Sequence, residues 1–155
     1  MGIEGTASAV TLNPQGIGQV LIYPYYTANA GNDTLLSLTN TTAHAKALRV
    51  RFAEGENGRD AFSLNVYLAP HDMWTAAITH GDSTGASVGV RTSDASCTVP
   101  DVADATDLAG DGATFSTDAF SGANADPGDT SASRIAEGWV EVIEMGTLAD
   151  FSPSA

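Results

Sequence analysis

Apolar and polar residues alternate one by one through the middle of this chain. Leu48, Val50 and Phe52 alternate with Arg49 and Arg51. Successive strand side chains point to opposite faces, so this stretch predicts a strand with one apolar face and one face carrying two guanidinium groups. Phe62, Leu64, Val66 and Leu68 repeat the period, and the polar, glycine-bearing run from Glu54 to Asp60 between the two suits a hairpin loop. Leu36 and Leu38 alternate with Leu35, Ser37 and Thr39. After Pro70, Trp74, Ala76 and Ile78 alternate with Met73, Thr75 and Ala77. The three- and four-residue spacing of a helix is missing. Residues 34–79 are therefore expected to form four consecutive strands, neighbours in one antiparallel sheet, with Leu48, Val50, Phe52, Leu64 and Val66 turned inward.

The flanks add strands to this unit. Val10-Thr11-Leu12 suits a short strand, and residues 19–27, rich in β-branched and aromatic residues, a stronger one. Pro24 removes a donor, which places that strand at a sheet edge or bends it. Residues 88–90 and 97–100 suit brief strands. Trp139, Val140, Val142 and Ile143 put apolar groups on both faces of a central strand. Between them, residues 101–133 are mostly Asp, Ala, Gly, Ser and Thr, a composition that reads as a loop. The chain is expected to be all-β: a single antiparallel β-sandwich over residues 1–155, with a long acidic insertion at 101–133 before the last strand.

Charge narrows the partners. Of 155 residues, 19 are acidic and 6 basic, for a net charge of −13. Nucleic acid and anionic membrane both need Lys and Arg to neutralise phosphate, so nucleic-acid binding is excluded as an expectation. No run reaches the roughly 20 apolar residues of a membrane-spanning helix, so no transmembrane segment is expected. The scarcity of Lys and the abundance of Thr, Ser, Asn and Gly suit a secreted or cell-surface protein. Met1 to Gly5 nonetheless shows neither the basic start nor the apolar middle of a signal peptide. Cys97 is the lone cysteine, cannot form an internal disulfide, and is expected to be buried.

Candidate chemistry is sparse. His80-Gly81-Asp82-Ser83 brings triad residue types together, but a triad assembles in space, and adjacency in sequence means little. His71-Asp72 and His80-Asp82 lie at opposite ends of one predicted strand, roughly 30 Å apart, too far to share zinc. His44 has no acidic neighbour. Asn32 and Asn40 each open a formal glycosylation sequon, although turn chemistry explains asparagine at both places. The best chemical candidate is calcium. Asp107, Asp111 and Asp118 occupy positions 1, 5 and 12 of a twelve-residue loop with Gly112 at position 6, a partial match to an EF-hand loop. It lacks the carboxylate at position 3, the closing glutamate and the flanking helices. Tyr23, Tyr25, Tyr26, Tyr67, Trp74 and Trp139 form a second candidate, an aromatic platform for a sugar, against core packing as the commoner use.

The segments GQVLIYPYYT, LLSLTNTT, LRVRFAEGENGRD, LNVYLAPHDMWTAAI and EGWVEVIEMGTL together resemble a group of uncharacterised exported bacterial proteins. These share a Tyr-Pro-Tyr-Tyr-Thr start and a Leu-x-Pro-x-Asp-x-Trp-Thr segment. The resemblance covers residues 10–80 and 134–149, implies a secreted or surface location, and implies no activity. The strand pattern is also similar to immunoglobulin-like or Greek-key sandwiches, a likeness of fold that carries no function. The expected role is a non-enzymatic structural subunit of a filament or surface assembly, its copies joined by β-strand addition. Val20, Leu21, Ile22, Tyr23 and Tyr25 are the expected interface. The alternative is a calcium- or carbohydrate-binding module of a larger secreted protein.

Overall fold

A computed structural model describes residues 13–15, 17–81 and 87–149. Within them lie the strands β1 (Val20–Thr27), β2 (Thr34–Thr39), β3 (Lys46–Glu54), β4 (Asp60–Leu68), β5 (Met73–His80), β6 (Val88–Arg91), β7 (Cys97–Val99), β8 (Ala113–Thr114) and β9 (Glu137–Thr147). One sheet has the order β1-β9-β3-β4-β7, the other β2-β5-β6-β8, and every strand pair is antiparallel. The two sheets pack face to face as a β-sandwich. The predicted strand Val10–Leu12 lies outside the described residues.

The alternation places faces correctly. Val50, Phe52, Leu64 and Val66 are fully buried, and Leu48 packs half-buried against the same core. Trp74, Leu38, Ile78 and Val90 answer them from the opposite sheet. The partnership of the strands differs from expectation. β3 and β4 form the predicted hairpin, but β2 and β5 pair with each other in the second sheet. The chain thus crosses between sheets before β3 and again after β4.

Asn40 supplies the physical reason, because it stitches both crossings together. Its side-chain amide donates to His44 O and to Ala69 O, each at 2.8 Å, and its backbone N–H donates to Asp72 O at 2.8 Å. One asparagine, 5% exposed, therefore satisfies backbone groups of both loops. Both amide hydrogens are engaged, which makes Asn40 a structural residue rather than a surface acceptor for glycan.

The acidic segment is more than a loop. Val102, Leu108, Phe115 and Phe120 are buried, and β8 pairs with β6 through Gly89↔Thr114 and Val90↔Ala113. The approach is close: a Cβ on Gly89 would sit 2.1 Å from Ala113 O. The segment closes in a 3-10 helix, Ala132–Ala136, whose Ile135 and Ala136 join the core. It is an integral part of one sheet and of the core.

Candidate functional site

β1 is an edge strand, as Pro24 predicts, and its register against β9 shifts between Tyr23 and Tyr26, so the strand both edges and bends at the proline. β2 is likewise an edge strand of the other sheet. Among the described residues these two edges face each other without a ladder between them. They touch where Tyr23 Oη donates to Ser37 O at 3.2 Å, and at the closed end, where Thr34 Oγ1 accepts from Thr27 N at 2.9 Å and donates to Thr27 O at 2.8 Å.

Between the edges opens a cleft of about 420 Å³. Leu21, Tyr23, Leu38, Leu48, Leu68 and Val142 give it apolar walls, and Lys46 and Glu144 sit at its rim, their charges paired at 2.5 Å. Burial raises the pKa of Tyr23, consistent with a phenol tucked against the wall. The cleft runs past the start of β1, where Glu144 N donates to Gln19 O at 2.7 Å.

The expected interface residues therefore divide. Strand alternation turns Leu21 and Tyr23 inward, where they line this chain's own cleft. Val20 and Ile22 point outward at 54% and 64% exposure. Beside them on β9, Ile143 and Met145 are also exposed, and Val20 is the direct partner of Ile143. The edge thus carries an exposed apolar patch on its outer face. Tyr25, past the bend, joins neither group. It lies in a separate hollow of about 550 Å³ with Trp139, Glu56, Asp129 and Ser133, its hydroxyl donating to Glu137 Oε2 at 2.8 Å. Of the aromatic set, Tyr25 and Trp139 alone meet in this hollow; Tyr26 and Trp74 are core residues.

Beneath that hollow lies a buried charge cluster that sequence reasoning missed. Arg134 and Glu54 both have fully buried side chains, with Nε 3.0 Å from Oε2. Arg134 also grips Asp126 with both terminal nitrogens, at 2.6 and 2.8 Å, and its guanidinium lies 4.3 Å from the Phe120 ring. Glu54 accepts backbone N–H groups from Glu56, Asn57 and Arg59 at 2.6, 3.0 and 2.8 Å. Burial pushes the Glu54 carboxyl up, but the hydrogen bonds from Arg134 and these N–H groups outweigh it and hold it at about 2. Arg134 and then Asn57 hold Asp126 well below the usual carboxylate range. Hydrogen bonds from Asp126 and Glu54 in turn raise Arg134. The cluster fastens the acidic segment to the β3–β4 turn. A Cβ on Gly128 would lie 2.8 Å from the buried Arg134 Nη1, so the segment packs closely against the guanidinium there.

Asp107, Asp111 and Asp118 are exposed, and no group of three or more His, Cys, Asp or Glu among the described residues is arranged to hold a metal ion. β8 and the buried Phe115 intervene between Asp111 and Asp118. Arg91 donates to two carbonyls of this loop, Asp111 O at 2.7 Å and Leu108 O at 3.2 Å. His80 Nδ1 lies 3.2 Å from Ser87 O. Asp82 and Ser83, its neighbours in the His-Gly-Asp-Ser motif, lie outside the described residues.

Cys97 corrects an expectation: it is exposed. On the edge strand β7 it is Thr98 that turns inward, at 6% exposure, so alternation sends Cys97 and Val99 outward. No helix among the described residues is long and apolar enough to cross a membrane. No family model, no curated protein and no solved structure matches the chain.

Proposed function

We propose that this chain is a non-enzymatic structural subunit of a secreted or cell-surface assembly, its copies joined by β-strand addition. One observation carries the reading: two edge strands, β1 and β2, flank an apolar cleft at the mouth of the sandwich. An edge strand presents unpaired N–H and C=O groups that an extended segment of another chain completes. The outward patch of Val20, Ile22, Ile143 and Met145 supports it, because apolar side chains gathered beside an open edge favour burial by a partner. The net charge of −13 keeps finished assemblies apart in solution. The direct test is particle mass by sedimentation velocity, with electron microscopy of any large species. Multimers or filaments are expected; a monomer at every concentration tested contradicts the reading.

A second reading has its own observation. Tyr25 and Trp139 share a hollow with Glu137 and Ser133, the kind of aromatic wall and polar rim that sugars use. A glycan-binding screen on the purified chain tests it, with Trp139→Ala as the control that must abolish any signal.

A further inference from the structure

We infer that the cleft between β1 and β2 receives residues 6–12 of a second copy of this chain as an added strand on the free edge of β2. This inference rests on the strand-addition reading and names its donor, its acceptor and its direction.

The acceptor has the right shape and chemistry. The far edge of β2 has no strand partner among the described residues, and the cleft follows it over Ser37, Leu38 and Thr39, about 10 Å at ~3.3 Å per residue. Leu21, Leu48 and Val142 line the cleft beside that edge, so a strand placed there gains a ladder on one side and an apolar floor beneath.

The donor matches in pattern. Twelve residues precede Asn13 in the sequence, and Ser8, Val10 and Leu12 fall on one face of an extended segment. Val10 and Leu12 supply two apolar side chains at strand spacing, and the segment carries no charge between Thr6 and Leu12 to desolvate.

Direction decides between the chain's own segment and a neighbour's. β1 and β2 run in opposite directions, since Thr27 meets Thr34 while Tyr23 meets Ser37. Asn13 opens a turn: its Oδ1 accepts from Gln15 N and its Nδ2 donates to Ile17 O, each at 2.9 Å. A segment folded back through that turn would run opposite to β1 and therefore parallel to β2. Every strand pair in both sheets is antiparallel, and the antiparallel ladder is the more stable per residue. A second copy enters the cleft in the antiparallel sense without reversal. Because donor and acceptor are different surfaces, the contact is head-to-tail and propagates as an open chain.

The experiment compares the full chain, a chain lacking residues 1–12, and Leu12→Asp, a substitution that lies outside the described residues. Particle mass is read for each, together with binding of a synthetic peptide of residues 4–13 to the truncated chain. Multimers of the full chain are expected, with monomers for the other two. One peptide should bind per truncated monomer, and Leu21→Asp in the cleft should weaken that binding about tenfold or more. If the full chain is multimeric and the truncated chain or Leu12→Asp is equally so, assembly stands and this donor is refuted. If the full chain is monomeric, the assembly reading falls first and this inference with it. A truncated chain that keeps its far-ultraviolet spectrum yet fails to bind peptide also overturns the inference.

Discussion

Replacing Glu54 with Gln removes a charge and almost no volume from the buried cluster. The glutamate spreads its two oxygens over four donors: the backbone N–H groups of Glu56, Asn57 and Arg59, and the Nη2 of Arg134. Glutamine offers one carbonyl oxygen and turns an NH2 group toward the rest, so at least one buried donor is orphaned. Arg134, with no side-chain exposure, loses the one fully buried counter-charge it has among the described residues. Removing one partner of a buried ion pair costs about 3–5 kcal/mol. Against a domain stability of about 5–15 kcal/mol, that is about a fifth of the total or more. At about 2–4 °C per kcal/mol for a chain of this size, the melting temperature should fall by roughly 6–20 °C at pH 7. Calorimetry on both proteins measures it. The folded-state carboxyl sits at about 2, below its ordinary 4.5, so its stabilisation is fully present above pH 4.5 and is lost as pH falls toward 2. The gap between wild type and variant should narrow across that window. A drop under 2 °C at pH 7, or a gap constant down to pH 2, refutes the assignment.

Other perturbations probe separate parts of the fold. Gly89→Ala sets a methyl group against Ala113 O and should free β8 from β6, seen as fast amide exchange at Ala113 and Thr114; protected amides there would contradict the packing. Cys97, exposed on β7, should react stoichiometrically with a thiol reagent in the native state, and reaction only after denaturation would return it to the interior. Because Arg91 donates to two carbonyls of the Asp107–Asp111 turn, chelator should leave the melting temperature unchanged; a rise on adding millimolar calcium would reinstate Asp107, Asp111 and Asp118 as ligands.

The faces of the strands were legible because alternation is a local signal: Val50, Phe52, Leu64 and Val66 could be oriented without knowing their partners. The sheet partition was not, since alternation is silent on which strands pair. What separates β2 and β5 from β3 and β4 is the bracing of two distant loops by Asn40, residues 29 positions apart in the sequence meeting at one amide. Pro24 placed β1 at an edge through a missing donor, again a local property. The segment 101–133 misled because its core residues, Val102, Leu108, Phe115 and Phe120, recur at no strand or helix period among small and acidic neighbours. The Glu54–Arg134 pair is invisible for a different reason: charged residues are rarely buried, and nothing in either one's neighbourhood marks it as the exception. Of the candidate site, the apolar edge of β1 was legible, whereas the cleft depends on the relative placement of two sheets.

Amide hydrogen exchange along Thr34–Thr39 reads the free edge of β2 directly. The strand-addition account predicts slower exchange there in the full-length chain than in the chain lacking residues 1–12, at concentrations where the full chain is multimeric, with β5 and β9 unchanged. Equal exchange rates along β2 in the two proteins would contradict it.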